Sequence, residues 1–99
     1  MIYILALSQM LIWSEPKFTV NQLIEFYAED VVTAKRVADC ESKTGLYRNN
    51  WQGSSAEGLF MFMPSTFNAY CSGDIKNDID QIKCFNKLYK IHHSWWKCQ

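Results

Sequence analysis

Val37-Ala-Asp-Cys-Glu-Ser42, read together with Gly58-Leu-Phe-Met-Phe-Met-Pro-Ser-Thr66, decides how this chain folds. Counting back from Glu41 by three, four and seven residues gives Ala38, Val37 and Ala34, all apolar. That is the spacing of one helix face, so Glu41 stands where a core side chain is expected. A carboxylate in such a place is desolvated, which favours the neutral form and raises its pKa. A carboxylic acid kept protonated near neutral pH is what protonation of a leaving oxygen requires. The plain alternative is a Glu41 that sits in the last helical turn and swings out to water, as charged side chains usually do.

Working outward, residues 30–42 read as the helix that delivers Glu41. Lys43-Thr-Gly45 ends it, with Gly45 available for the left-handed conformation that closes helices. Upstream, Thr19-x-x-Gln22 is a capping box. Val20, Leu23, Ile24 and Tyr27 follow on one face, so residues 20–29 read as an amphipathic core helix. Downstream, residues 46–62 are turn-rich (Asn49-Asn50, Gly53-Ser54-Ser55, Gly58) and form either a short irregular hairpin or a long loop. Functional residues favour such loops on a rigid scaffold. Pro64 is placed for the first turn of a third helix, residues 64–71, with Gly73 after its end. Asp78-x-x-Gln81 marks another helix start, and Ile79, Ile82, Phe85 and Leu88 or Tyr89 recur at helical spacing to about residue 90. The aromatic tail His92-His-Ser-Trp-Trp-Lys-Cys98 is expected to pack down.

Residues 1–13 are apolar but too short to span a bilayer. They have the flavour of a signal-peptide core, with Ala6-x-Ser8 as a passable cleavage pattern, yet no Lys or Arg precedes Lys17. Residues 1–18 are therefore read as an N-terminal segment, a partial signal or anchor or an extra helix, and residues 19–99 as the domain.

Ninety-nine residues, 48% apolar and 15% aromatic, fit one small globular domain. The net charge of zero, without a basic patch, argues against a nucleic-acid partner. Cysteines stand at 40, 71, 84 and 98 with no C-x-x-C pair, and His92-His93 are adjacent rather than spaced for zinc, so no metal is expected. An even count suits two disulfides and an oxidising compartment, with three pairings open. Four buried free thiols are the alternative.

With these residues laid out, the chain resembles the lysozyme-like lytic transglycosylases (the soluble lytic transglycosylase, or SLT-like, domain) that cleave bacterial peptidoglycan. The match rests on Ala38-Asp-Cys-Glu-Ser42 at a helix end and on Ser54-Ser-Ala-Glu-Gly58-Leu-Phe-Met-Phe-Met-Pro-Ser-Thr-Phe67, whose Gly58 lies 17 residues beyond Glu41. Asp80-Gln-Ile-Lys-Cys84 and the Trp95-Trp-Lys-Cys98 ending extend it over about residues 20–98. The resemblance implies a mainly α, lysozyme-like α+β fold, with a short β-hairpin or loop between the catalytic helix and the Gly58 segment. It implies that Glu41 is the catalytic acid, protonating the oxygen of the β-1,4 bond between N-acetylmuramic acid and N-acetylglucosamine. Glu41 then acts as base towards the muramyl 6-hydroxyl, giving a 1,6-anhydro sugar, or towards water, as in a muramidase. A glycan-binding or structural module that keeps the fold and loses activity is the rival from another class.

Carried over residue by residue, Ser54 or Ser55 orients Glu41, Gly58 lets the chain approach it closely, and Met63 lines the sugar groove. Two departures stand out. Met61 replaces the glutamine common in the family and can pack on a sugar but cannot give amide hydrogen bonds. The family's Ala-Tyr-Asn segment is absent, leaving Tyr89 and Trp95 to supply aromatic surface. The implied partner is the peptidoglycan glycan strand, met without cofactor, metal or nucleic acid by a secreted monomer of the cell envelope or a phage. Cys71 and Cys84 flank one connection between helices, a loop whose closure is worth about 3 kcal/mol. Cys40 is then expected with Cys98, as in related sequences with a cysteine before the glutamate and one at the end. Glycosidases with two carboxylates need them at defined separations. Asp39 lies on another helix face, which leaves Glu57 as the candidate, with an exposed loop acid as its plain reading. Trp51, Trp95 and Trp96 are each either sugar-stacking or core.

Overall fold

The computed structural model describes residues 17–49 and 54–98. The expectations for the N-terminal apolar segment and for Trp51 lie outside those residues. Four helices carry the fold: α1 Val20–Tyr27, α2 Val31–Ser42, α3 Pro64–Tyr70 and α4 Asp78–His92, followed by a 3-10 turn His93–Trp95. Among the described residues there is no strand. The segment between α2 and α3 makes only isolated antiparallel bridges, Asn49 with Glu57 and Glu57 with Phe62. The chain is thus mainly helical, with an irregular turn where a hairpin or loop was expected.

Each helix start has a chemical cause. The Thr19–Gln22 capping box forms in full, with Gln22 N–H donating to Thr19 Oγ1 at 3.1 Å and Thr19 N–H to Gln22 Oε1 at 2.8 Å. Asp30 caps α2 by accepting from Thr33 N–H, and Pro64 opens α3 where a missing N–H costs nothing. At α4 the cap is Asn77, whose side chain accepts from Asp80 N–H at 3.1 Å. Asp78-x-x-Gln81 is therefore not a capping box; Asn77 takes that place and frees Gln81 for the interior.

Lys43-Thr-Gly45 ends α2 as expected, with Gly45 left-handed. The left-handed turn begins at Lys43 (φ 52°) and Thr44 (φ 54°) before Gly45 (φ 86°). Thr44 N–H reaches back to the Ala38 carbonyl (3.1 Å) and Lys43 N–H to that of Asp39 (2.9 Å), which satisfies the last carbonyls of the helix. Gly45 N–H then donates to the Ser42 hydroxyl at 2.9 Å.

The core gathers the apolar faces of all four helices with Leu59, Phe60 and Phe62 from the connecting turn. Phe60 stacks on Phe85 with centroids 4.2 Å apart, and Trp96 meets Phe62 and Phe85 edge-on at 5.4 and 5.1 Å. Buried rings packed in this way are worth more than their area alone. Asn86 of α4 closes the α1–α2 corner by donating to the Tyr27 carbonyl and accepting from Glu29 N–H.

Both disulfides form, Cys71–Cys84 between α3 and α4 and Cys40–Cys98 between α2 and the tail, each with Cα atoms 5.5 Å apart. They span 13 and 58 residues, so on loop entropy their removal costs about 3 and about 4 kcal/mol. Urea melts of Cys71→Ser/Cys84→Ser and Cys40→Ser/Cys98→Ser are expected to rank in that order. Only the second is also expected to disturb the site described next, because Cys98 touches Glu41.

Candidate active site

Ala34, Val37 and Ala38 of α2 are fully buried, and Glu41 continues their stripe one turn further, where the helix surface opens. Its side chain is half-buried rather than swung out to water. Burial raises its pKa from the ordinary 4.5, opposed by a backbone hydrogen bond from Cys98. The Cys40–Cys98 disulfide holds that backbone group beside the acid, since Cys40 immediately precedes Glu41.

Glu41 faces an open cleft of about 300 Å³. Met61, Phe62 and Met63 form one wall, Thr66 of α3 continues it, and Trp95 and Trp96 form the other. Glu41 is the only ionisable side chain among these lining residues. Among the described residues no Lys, Arg or His stands in the lining to draw the carboxyl back towards its ionised form.

The wall bearing Met61 is fixed by backbone clamps from three directions. Glu57 and Phe62 exchange both backbone hydrogen bonds (3.0 and 3.1 Å), and Met61 N–H closes a turn onto the Gly58 carbonyl. Ser42, next to Glu41 in sequence and buried, donates to the Leu59 carbonyl at 2.8 Å, with the Ala38 carbonyl 3.1 Å away. Gln81, also fully buried, accepts from Phe60 N–H at 3.0 Å and donates to the Glu57 and Ile75 carbonyls at 3.1 and 2.7 Å. Trp96 Nε1 donates to the Phe60 carbonyl at 2.9 Å. Held so firmly, Met61 adopts a left-handed backbone (φ 54°) that few non-glycine residues accept. That conformation lets Leu59, Phe60 and Phe62 enter the core while Met61 faces the cleft. Strain of this kind is tolerated only where the surroundings over-determine the backbone.

Of the residues singled out from sequence, Glu41, Met61, Met63 and Trp95 meet in one cleft. Ser54 and Ser55 turn their hydroxyls to the Met63 sulfur at 3.5 and 3.8 Å. They therefore reach the cleft through Met63 and not by a bond to the Glu41 carboxylate. Gly58 does not line the cleft either. Its missing side chain makes room for Gln81, whose Nε2 would lie 2.0 Å from an added Cβ. Tyr89 packs against Phe85 and Trp96 at 4.8 and 5.8 Å and is not part of the lining. The adjacent tryptophans both border the cleft, Trp96 as a buried core side chain and Trp95 47% exposed. Glu57 lines a different hollow, with Arg48, Asn49 and Lys76.

Ser42, Gln81, Thr66 and Phe62 were missed as parts of the site. Only Ser42 carried a signal, as the neighbour of the acid in the Glu-Ser pair.

A larger hollow of about 450 Å³ lies against α1, between Phe18, Leu23, Phe26 and Ile79. Its one carboxylate, Glu25, is exposed and ion-paired with Lys35 at 2.6 Å, so it offers no desolvated acid. Among the described residues no group of three or more His, Cys, Asp or Glu side chains could hold a metal ion. Also among them, no helix is long and apolar enough to cross a membrane. Comparison of the chain with family models, with curated proteins and with solved structures gives no match.

Proposed function

We propose that this protein is a lysozyme-like lytic transglycosylase that cleaves the β-1,4 bond between N-acetylmuramic acid and N-acetylglucosamine in peptidoglycan. One observation carries the reading. A half-buried glutamate with a raised pKa is, among the described residues, the sole ionisable group in a cleft lined by thioethers and aromatic rings. In this reading protonated Glu41 gives its proton to the glycosidic oxygen as the bond from the muramyl C1 to that oxygen breaks. The resulting carboxylate then takes the proton of the muramyl 6-hydroxyl while that oxygen bonds to C1. The carboxyl is regenerated and a 1,6-anhydro end is left. A nucleophile supplied by the substrate needs no second carboxylate, and Glu57, the candidate for one, lines another hollow. Trp95, Met61 and Met63 offer apolar surface for sugar rings. The two disulfides suit a secreted protein of the cell envelope. A binding module without turnover is the second reading, favoured by Met61, whose thioether supplies no hydrogen-bond donor at the scissile bond.

The pH dependence follows from the direction of the Glu41 shift. Cleavage needs the protonated acid, so kcat/KM is expected to fall as pH rises through the raised value. Stability moves in the same direction. Folded Glu41 holds its proton more tightly than the unfolded chain, so its favourable contribution is complete below the ordinary carboxylate value of 4.5 and is lost as pH rises through the folded one. Glu41→Gln is thus expected to raise Tm at neutral pH and to leave it nearly unchanged in acid. Thermal melts of both proteins across that range check this, and a neutral-pH Tm lowered by the substitution would count against a desolvated acid.

A further inference from the structure

The Glu41 cleft does not end at Trp95. Thr66, in its wall, and Tyr70 stand four residues apart on α3 and so share one face of that helix. Tyr70 therefore continues the wall outward. Its ring lies 6.0 Å from that of Trp95 at an angle of 54°. Both rings are about half open to water, 48% and 47%. Trp95 is also backed by His92, whose imidazole lies parallel to the indole at 3.8 Å with an interplanar angle of 1°. With His92 covering one indole face, Trp95 has only its other face and its edges to offer the cleft.

We infer that Tyr70 and Trp95 form a sugar subsite beyond the Glu41 cleft, with His92 as the positioning residue that fixes the plane of Trp95. The occupant is a further saccharide ring of the same glycan strand, so the inference rests on the function proposed above. The polarised C–H groups on the apolar face of a pyranose meet the electron-rich face of an aromatic ring favourably. The Tyr70 and Trp95 rings that form the ledge are aromatic and without carboxylates, a surface that suits the apolar face of a sugar. The backing by His92 matters because a tryptophan already held in place loses little freedom when a sugar stacks on it.

The test is calorimetric binding of short and long N-acetylglucosamine oligomers to the Glu41→Gln protein, alone and with Tyr70→Ala, His92→Ala or His92→Phe. Parallel kinetics of the Tyr70 and His92 variants in the active background use peptidoglycan. The ledge predicts that Tyr70→Ala and His92→Ala weaken binding of the long oligomer about two- to tenfold and leave the short one unchanged. His92→Phe, a flat ring that can still stack, restores it. In kinetics the losses fall on KM, with kcat kept. Long-oligomer binding unchanged by Tyr70→Ala and His92→Ala would overturn the ledge and leave the Glu41 reading intact. A parent protein that neither binds any oligomer nor, with Glu41 restored, cleaves peptidoglycan would overturn both. Both substituted side chains lie at helix ends outside the core cluster, and Tyr70→Phe, which keeps the ring, is expected to match the parent.

Discussion

If the proposed function holds, Glu41→Gln is expected to abolish the clearing of a peptidoglycan suspension, with a loss of about a hundred- to ten-thousandfold, the usual range for a general acid. Glutamine has nearly the same shape and keeps the half-buried position, but it has no proton to give at any working pH. Trp95, Met61 and Met63, which line the cleft beside Glu41, are untouched, so sedimentation of the variant with peptidoglycan is expected to match the parent. The combination matters more than either half. Lost clearing with kept binding marks a chemical role. Clearing within a few-fold of the parent would move the acid to another residue.

Gln81→Leu has the largest expected effect on stability. Leucine comes close in volume, but it strands Phe60 N–H and the Ile75 carbonyl and takes one of two donors from the Glu57 carbonyl, which Phe62 N–H still satisfies. Each buried polar group left unpaired costs about 1–3 kcal/mol, so the two stranded groups cost on the order of 2–6 kcal/mol out of a usual total of about 5–15. For a domain of this size Tm should fall by roughly 10 °C or more. Gly58→Ala strikes the same joint from the other side, since its Cβ would meet the Gln81 amide at 2.0 Å on a backbone with φ +90°. Because the two residues touch, their costs should not add, and a double-mutant cycle on chemical melts reads that coupling. A loss below about 1 kcal/mol for Gln81→Leu would mean that water replaces the amide. The turn bearing Met61 would then be less firmly held than its hydrogen bonds imply.

Much of α2 and its acid was legible in advance because period alone places Ala34, Val37, Ala38 and Glu41 on one stripe. The Thr19–Gln22 cap and both cysteine pairings were legible as well. Polar residues with long-range duties were not. Gln81 three residues after Asp78 reads as a local cap, and only the approach of the Glu57–Phe60 backbone from far along the chain makes it a core clamp. Ser42 has the same history, since its partner Leu59 lies 17 residues away. The helix end at Lys43-Thr-Gly45 was legible, but local preference puts the left-handed conformation at Gly45 alone, while the hydrogen bonds of Ser42 and Ala38 start it two residues earlier. Trp95 and Trp96 are indistinguishable by composition. The 3-10 turn after α4 buries Trp96 and leaves Trp95 half open at the cleft.

The most direct test of the central claim is mass spectrometry of the fragments released from purified peptidoglycan by the oxidised protein, beside Glu41→Gln. The proposed chemistry predicts muropeptides lighter by one water than their hydrolytic counterparts, carrying 1,6-anhydro ends and absent from the variant. Fragments with free reducing ends would contradict it by making water the nucleophile. No fragments at all, with binding to peptidoglycan retained, would contradict it by leaving a module that holds the strand and does not cut it.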